Sequence, residues 1–290
     1  MKKVLSFFLC VVILSAGLVF SSSAKTSGVF VYEIKNGYAV ITGNNSASGN
    51  ITVPSSIEGK SVIAIEARAF SNNTAVTGVT VPSSVNTIGE NAFIDCTSLK
   101  SISLPDSVVK ISSGAFYNTA YFNLSSNWSD GILYIGKHLI DVKDSYSSSP
   151  VSGKCSIKPG TLTVAESAFS SCKGLTEVSI PSSVKYIGCE AFHNCTSLKM
   201  ICFKGTQAQW NSIEIDDYNS VLLNATVSFA KGDINSDGKI NSTDALLVLQ
   251  SSTGLIKLTS AQAKEADVNG DSKVNSTDAL AILRFSTGTV

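Results

Sequence analysis

Apolar and polar residues recur along the middle of the chain in a pattern that repeats every 23 residues. The dipeptide Ala-Phe ends at Phe70, Phe93, Phe116, Phe169 and Phe192, so successive phenylalanines are 23, 23, 53 and 23 residues apart. The long interval contains one period plus an insertion of 30 residues. A fixed period of this length predicts a solenoid, in which stacked units share one continuous core.

Each repeat unit contains a short strand followed by a proline. Leu99, Ile102 and Leu104 belong to one such strand, and we expect positions of this type to point inward because a single unit cannot cover its own apolar face. Pro105 follows the strand and cannot donate a hydrogen bond to a continuing ladder. The pattern therefore predicts short stacked strands that end at prolines.

The repeats and their flanks resemble the BspA-like leucine-rich repeat family of bacterial surface and secreted proteins. The resemblance runs from about Phe30 to Phe229. It includes an N-terminal hairpin around Asn36-Gly37, a dipeptide that favours tight turns, and a closing segment at residues 203–210 that looks like the terminal cap of the family. The resemblance implies a protein- or surface-binding module with an unknown ligand and no common chemistry.

Charge and composition narrow the possible partners. The chain has 22 basic and 22 acidic residues, and 43% of its residues are hydrophobic. It can bury a core, but it has no basic excess for binding phosphates, which argues against nucleic acid as the main partner.

The first 24 residues predict a secretory signal. Lys2 and Lys3 precede an apolar stretch at residues 4–20, and small residues follow at Ser22, Ser23 and Ala24. The alternative is a membrane anchor, but the apolar stretch is shorter than the roughly 20 residues of a spanning helix. We therefore expect a secreted, extracellular protein without stable membrane insertion, with domains at 25–228 and 229–290.

Six of the seven cysteines lie beyond the predicted signal. An even number in an exported protein is compatible with disulfides. However, three of them follow a repeat phenylalanine by three residues, where leucine-rich repeats place a buried ladder residue: Cys96, Cys172 and Cys195. Stacking explains these three without a bridge. Cys202 matches the strand position of Ser179 and is a candidate exposed thiol, whereas the pattern gives no role to Cys155 or Cys189.

The repeats offer little catalytic chemistry. His138 and His193 have no recognisable nucleophile or metal-binding neighbours, and His138 falls in a strand-like run from Leu133 to Val142. Four glutamates recur at one turn of the repeat and are interpreted as a solvated edge rather than a glycosidase pair: Glu66, Glu90, Glu166 and Glu190. Core packing is the expected role of Trp128 and Trp210. A cryptic hydrolase site in the insertion, near residues 128–146, is the enzymatic alternative.

Two copies of a twelve-residue calcium loop occupy the last sixty residues. Each copy places oxygen-bearing side chains at positions 1, 3, 5, 9 and 12, as a hard cation requires, and position 7 adds a backbone carbonyl. The candidate ligands are Asp233, Asn235, Asp237, Lys239, Asn241 and Asp244 in the first loop, and Asp267, Asn269, Asp271, Lys273, Asn275 and Asp278 in the second. The duplication predicts two Ca²⁺ ions and metal-dependent folding, because each loop has three aspartates against one lysine.

An apolar helical stretch follows each loop, with leucines at helical spacing: Leu246, Leu249, Leu280 and Leu283. Residues 225–230 before the first loop indicate a strand or linker instead of a helix, while Thr259 to Gln262 predicts the capped start of a short helix. Loop plus exit helix, duplicated at residues 232–288, resembles a type I dockerin. That resemblance implies a cohesin domain on a scaffolding protein as partner, as in cellulosomes.

The resemblance also indicates which residues contact the partner. The recognition pairs of the family fall on Ser242-Thr243 and Ser276-Thr277, and their identity implies two near-equivalent binding faces. Helix N-capping is the alternative role for these hydroxyls. Gln250 and Arg284 occupy matching helix positions where dockerins often place basic contacts.

The second loop departs from the calcium pattern at position 6, where Ser272 replaces glycine. A left-handed backbone at this position costs a residue with a Cβ roughly 1 to 2 kcal/mol. We therefore expect the second loop to bind calcium more weakly.

Together these patterns predict a β-rich leucine-rich-repeat solenoid followed by a small all-α calcium-binding dockerin domain. The leading hypothesis is a secreted, non-catalytic protein that joins a cellulosome-type assembly in a polysaccharide-degrading context. The alternatives are a polysaccharide-active hydrolase and a regulator of neighbouring enzymes.

Overall fold

The computed structural model describes residues 24–144, 147 and 150–287 of the chain. The predicted secretory signal lies outside these residues, except for Ala24. Within the described part, no helix is both long enough and apolar enough to cross a membrane.

The repeats begin with an antiparallel hairpin and continue as parallel strands. Asn36 and Gly37 have positive φ angles of 51° and 82°, which suits a two-residue turn between twisted strands, so the predicted hairpin is present. The strands before the insertion are β1 (Lys25–Ser27), β2 (Phe30–Lys35), β3 (Tyr38–Asn44), β4 (Gly49–Thr52), β5 (Ser56–Ile57), β6 (Lys60–Ile65), β7 (Val76–Thr80), β8 (Thr87–Ile88), β9 (Ser101–Ser103) and β10 (Lys110–Ile111).

Two parallel ladders run through these turns. One has the strand order β4-β7-β9 and keeps Thr52, Thr80 and Ser103 in register, while the other extends the hairpin as β3-β6-β8-β10. Alternation along a strand decides which side chains are buried. Val79 in β7 is buried, whereas its neighbour Thr80 is exposed.

The repeat phenylalanines form two stacked columns in the core. The ring centroid of Phe93 lies 4.9 Å from that of Phe70 and 5.5 Å from that of Phe116. Phe169 and Phe192 are 4.7 Å apart, and all five rings are almost completely buried. The period of 23 residues therefore corresponds to one solenoid turn per phenylalanine, as predicted.

The insertion separates the two columns. It contains α1 (Ala120–Asn123), a short 3-10 helix (Ser125–Asn127), β11 (Trp128–Ser129), β12 (Ile132–Ile135) and β13 (His138–Val142). The run from Leu133 to Val142 is therefore not one strand but an antiparallel hairpin, because Gly136, with a φ of 59°, begins its turn. β13 then pairs in parallel with the next solenoid strand.

The second stack repeats the architecture of the first. The elements are β14 (Gly153–Ser156), β15 (Thr163–Val164), β16 (Leu175–Pro181), β17 (Tyr186–Ile187), β18 (Met200–Lys204), α2 (Gln207–Ser212), β19 (Glu214–Ile215), α3 (Ser220–Asn224) and β20 (Thr226–Phe229). The ladders have the orders β14-β16-β18-β20 and β13-β15-β17-β19, and each belongs to a different sheet from those before the insertion. Thr206 and Gln209 form a reciprocal capping box, and Trp210 packs on Phe203 at 5.3 Å, so residues 203–210 cap the core as expected.

The C-terminal region is helical and has its own small core. Its helices are α4 (Ser242–Ser252), α5 (Ser260–Ala266) and α6 (Ser276–Thr287). The strand β20 precedes the first loop, whereas α5 precedes the second and begins at a Thr259–Gln262 capping box, both as predicted. The buried apolar residues are Ile234, Ile240, Ala245, Val248, Ala266, Ala279 and Ile282. The fold is thus a β-solenoid followed by a small α-helical region.

Candidate calcium loops and partner-binding faces

The first acidic loop curls around its own carboxylates. The carboxylate of Asp233 accepts hydrogen bonds from the backbone N–H groups of Asp237, at 3.1 Å, and Gly238, at 3.0 Å. The Asn235 side chain accepts from Asp237 N at 2.9 Å, and Asp237 accepts from Lys239 N at 2.9 Å. Positions 1, 3 and 5 therefore take part in the wrapping of the loop.

The second loop has the same arrangement. Asp267 accepts from Ser272 N at 3.2 Å, and Asn269 accepts from Asp271 N at 2.9 Å. Asp271 in turn accepts from Lys273 N at 2.8 Å. The internal duplication of the sequence is thus also a duplication of hydrogen bonds.

A buried aspartate closes each loop at position 12. Asp244 and Asp278 are completely buried. Ile234 N and Asn241 N donate to the two oxygens of Asp244 at 2.9 and 3.0 Å, and the equivalent N–H groups donate to Asp278 at 3.1 and 3.0 Å. Each carboxylate thereby joins the start of its loop to the start of the exit helix.

The candidate ligand atoms of these loops fit a calcium ion. All of them are oxygens, which this cation prefers. Asp267 Oδ1 is buried and has no hydrogen-bond partner among the described residues. Burial raises the pKa of Asp233, and the negative charge of the neighbouring Asp244 adds to this effect. In residues 24–287 as described, no three His, Cys, Asp or Glu side chains are gathered into a ready-made metal cluster, because the carboxylates bond to their own loops instead.

Both loops need two left-handed residues. Position 6 is Gly238, with a φ of 83°, in the first loop and Ser272, with a φ of 64°, in the second. Position 4 reverses the pair, with Ser236 at 59° and Gly270 at 77°. Each loop therefore contains one serine with a strained backbone. The expected left-handed backbone is present at Ser272, but Ser236 in the first loop has one as well. Backbone strain therefore no longer predicts that the second loop binds calcium more weakly than the first.

The helix caps are the asparagines at position 9. Asn241 accepts from Thr243 N at 2.7 Å and Asn275 accepts from Thr277 N at 2.8 Å. N-capping of the two helices therefore does not require the adjacent Ser-Thr pairs. All four hydroxyl residues of the candidate recognition pairs are exposed: Ser242, Thr243, Ser276 and Thr277.

Leucines extend each Ser-Thr pair into a larger exposed face. The helical spacing of the leucines suggests a buried stripe, but the structure shows the opposite. The residues that face the core are Ala245, Val248, Ala279 and Ile282, whereas the exposed ones are Leu246, Leu249, Leu280 and Leu283. Leu246 is 52% exposed and Leu280 is 48% exposed, so the two faces match in apolar character as well.

The last pair of candidate contact residues differs between the faces. Gln250 is partly buried in α4, whereas Arg284 is exposed in α6. Only the second face therefore has a positive charge at this position. Sequence reasoning missed the exposed leucines, although their offset by one residue from a small-residue stripe (Ala245, Val248) could have indicated them.

The cysteines of the solenoid are structural. The thiols of Cys96 and Cys195 donate to the carbonyls of Phe70 and Phe169, each at 3.0 Å, and burial raises the pKa of both to about 11. All six described cysteines are free thiols. Cys202 pairs with Ser179 as predicted, but its thiol is only partly exposed, because it donates to Glu177 at 3.3 Å.

The other candidate residues also have structural surroundings. The buried His138 has Nε2 at 3.0 Å from the Pro105 carbonyl, and burial lowers its pKa. Glu66 forms an ion pair with Lys35 at 2.9 Å, in keeping with a solvated edge. Trp210 is buried, while Trp128 remains partly exposed in the insertion.

Known proteins match both parts of the chain. Residues 63–147 and 143–215 match the BspA type leucine rich repeat region in six copies, and residues 231–285 match the dockerin type I domain. No curated protein sequence matches the chain.

Solved leucine-rich repeat structures are similar to the solenoid. One from T. pallidum is 26% identical, covers 62% of this chain and 71% of its own, and has a TM-score of 0.37. One from Bacteroides capillosus is 23% identical, with coverages of 63% and 99% and a TM-score of 0.32. Since the repeat match spans more than half of its residues, the chain belongs to the BspA type leucine rich repeat family and carries a dockerin type I domain after the repeats.

Proposed function

We propose that the C-terminal domain attaches this protein to a cohesin domain of a scaffolding protein when both loops hold calcium. The candidate ligands are the twelve loop residues named above, with position 7 contributing its backbone carbonyl and position 9 acting directly or through water. A bound calcium ion supplies positive charge. The carboxylates of the loop, which otherwise repel one another, then become compatible with one fixed backbone conformation.

The observation that carries this proposal is the duplicated exposed face. Ser242 and Thr243 with Leu246 and Leu249 form one face, and the equivalent residues of α6 form the other. Exposed leucines beside small hydroxyl residues combine an apolar contact area with donors for the backbone of a partner. Gln250 and Arg284 flank the faces, and their difference supports two modes of binding that are similar but not identical in charge.

The solenoid acts in this proposal as the second binding module. Both matched families consist of non-catalytic modules. We therefore assign the protein no enzymatic activity of its own and place it outside the cell, in an assembly that degrades polysaccharides. It would bring the ligand of the repeats to the scaffold and the enzymes bound there.

The direct test is binding of residues 25–290 to a panel of cohesin domains, with calcium and with a chelator. The chain offers matched variants, because the exposed serines Ser242, Ser276 and Ser260 are each the first residue of a helix. Ser242→Arg or Ser276→Arg alone should weaken binding about twofold, since one face remains. The double variant should lose binding, and Ser260→Arg should not change it.

Two results would contradict the proposal. One is equal affinity for a cohesin in the metal-free buffer. The other is a double Ser242→Arg and Ser276→Arg variant that still binds like the unaltered protein.

A further inference from the structure

The regular hydrogen bonding between solenoid turns is altered where the insertion enters. Elsewhere, the N–H of a repeat phenylalanine donates to the alanine carbonyl of the following turn, as from Phe93 to Ala115 at 2.8 Å. The ladder thiols link the turns in the opposite direction, since Cys96 and Cys195 each donate to the phenylalanine carbonyl of the preceding turn at 3.0 Å. Cys172 differs, because its thiol lies 4.0 Å from the carbonyl of Lys143. The insertion thus takes the place of a preceding turn.

A groove of about 650 Å³ lies where the insertion takes the place of a preceding turn. The insertion provides most of its lining, Tyr117 of the preceding turn lies at one side, and serines of the first turn after the insertion lie at the other. Tyr117, Phe122 and Trp128 provide aromatic surface, whereas Asp141, Asp144 and Ser170 provide polar groups. The groove therefore combines flat apolar rings with hydrogen-bonding side chains.

The aromatic rings of the groove hold one another in place. The rings of Tyr117 and Phe122 meet edge to face with centroids 5.1 Å apart, as do those of Phe122 and Trp128. Trp128 Nε1 donates to the Phe122 carbonyl at 2.7 Å. Tyr117 is nevertheless 53% exposed. An aromatic side chain that is fixed on one side and open on the other is preorganised for contact with a ligand.

Tyr117 also departs from the repeat pattern. It directly follows a repeat phenylalanine, and the equivalent residues of the other turns are Ser71, Ile94, Ser170 and His193. The repeat itself does not require a tyrosine at this position, because four other turns form without one. Tyr117 instead packs on the insertion through Phe122 and exposes the rest of its ring beside the groove.

The polar side of the groove can accept further hydrogen bonds at Asp141. This side chain accepts from Val142 N at 2.7 Å, and a carboxyl group has about four lone-pair sites. Burial raises the pKa of Asp141 to about 7, so this group can both accept and donate near neutral pH. A ligand that suits the groove has a flat apolar face and several hydroxyl groups around its edge.

We propose that the groove binds a short saccharide, with one sugar ring stacked on Tyr117 and its hydroxyls hydrogen-bonded to Asp141 and Ser170. This inference deepens the proposed role of the solenoid as a binding module and rests on that role. It does not depend on calcium or on a cohesin. Binding alone is meant, and no bond of the saccharide is broken.

The test is calorimetric titration of residues 25–290 with defined oligosaccharides. The probes are β-1,4-linked glucose, xylose, mannose and N-acetylglucosamine oligomers of three to six units. At least one class should bind. Tyr117→Ala should weaken that binding about tenfold or more, and Ser170→Ala should weaken it as well. Tyr218→Ala is the matched control, because Tyr218 is an exposed tyrosine outside the groove.

Thermal unfolding of each variant shows whether the fold persists, and the exposed Tyr117 is a site where alanine leaves the core intact. The proposal is overturned if none of the oligomers binds at about 10 mM, or if Tyr117→Ala and Tyr218→Ala bind equally well. Binding of a lysine-rich peptide in place of the sugars would also overturn it. A chelator separates the two proposals, since it should abolish cohesin binding and leave the saccharide affinity unchanged.

Discussion

The solenoid and the C-terminal domain both arise from sequence duplication, but different forces hold the copies together. In the solenoid, buried phenylalanines of neighbouring copies stack with ring centroids 4.7 to 5.5 Å apart. In the C-terminal domain, seven buried apolar residues form the core. Four of these residues have small side chains, since they are alanine or valine: Ala245, Val248, Ala266 and Ala279. Two completely buried aspartates lie beside that core.

This difference shows what each region needs from its surroundings. The apolar columns require nothing beyond neighbouring turns, because burial of apolar surface is favourable in itself. The helical domain is different, because its loops cluster several carboxylates that repel one another unless a cation compensates them. We therefore expect the repeats to be self-sufficient and the helical domain to depend on a cation.

Metal removal should separate the two regions most strongly. In a chelator, we expect the helical domain to unfold and the solenoid to keep its own thermal transition, because the loops then contain uncompensated carboxylates. Circular dichroism and calorimetry of residues 25–290, with and without calcium, measure both transitions. An unchanged helical signal and two unchanged transitions would refute metal-dependent folding.

The next largest effect should come from the phenylalanine column. Phe93→Ala should reduce the free energy of unfolding of the solenoid by about 4 kcal/mol, because it leaves a cavity between two stacked rings. Calcium binding should be unaffected. Val109→Ala is the control, since Val109 is an exposed apolar residue of the same solenoid and should change stability by less than about 0.5 kcal/mol. Equal effects of the two variants would argue against the column.

In the described part of the solenoid, the response of the Asp141 carboxyl group to pH should oppose that of the calcium loops. Burial raises the pKa of Asp141 to about 7, well above that of an unfolded aspartate. Between those two pKa values the folded chain holds a proton that the unfolded chain has released. The contribution to stability is therefore full at low pH and is lost as pH rises through 7.

Asp141→Asn should remove this pH dependence, worth about 2 kcal/mol between pH 5 and pH 8. Thermal unfolding in that range measures it, and the exposed Asp130→Asn serves as the control. If both variants keep the slope of the unaltered protein, Asp141 is not its cause. Calcium affinity should instead rise with pH, because the loop ligands must be deprotonated to bind the ion.

The smallest expected effect concerns the backbone of the two calcium loops. Ser236→Gly should strengthen the first site and Ser272→Gly the second, each about threefold, since each variant relieves one left-handed serine. Calorimetric titration in Asp267→Ala and Asp233→Ala backgrounds isolates each site. A response to Ser272→Gly alone would restore the original expectation that the second loop is the weaker one.

The sequence predicted the repeated parts of this molecule well. Stacking of Phe70, Phe93 and Phe116 followed from their constant spacing, because one period gives one turn. The ladder role of Cys96 and Cys195 followed from the same spacing. The loops and their exit helices were also predictable, since cation ligands and helix caps depend on residues close together in the chain.

Features that depend on contacts between distant residues were not predictable. The helical pattern of Leu246 and Leu249 identifies a stripe but does not show which stripe of α4 faces α6. The left-handed backbone of Ser236 was missed because position 4 of the loop has no strict residue requirement. The groove near Tyr117 combines the insertion with serines of a later turn, so the sequence could point to the insertion as a candidate site but not to Tyr117 or to these serines.

The junction between the two regions has a mechanical consequence. The strand β20 leads into the first calcium loop through residues 230–232, and it pairs in parallel with β18 at four positions, from Met200 with Thr226 to Phe203 with Phe229. Thr206, which caps the helix after β18, also donates to the Gly238 carbonyl at 3.1 Å. A tensile force on the C-terminal domain would therefore enter the solenoid through the pairing of β20 with β18 and through the contact of Thr206 with Gly238.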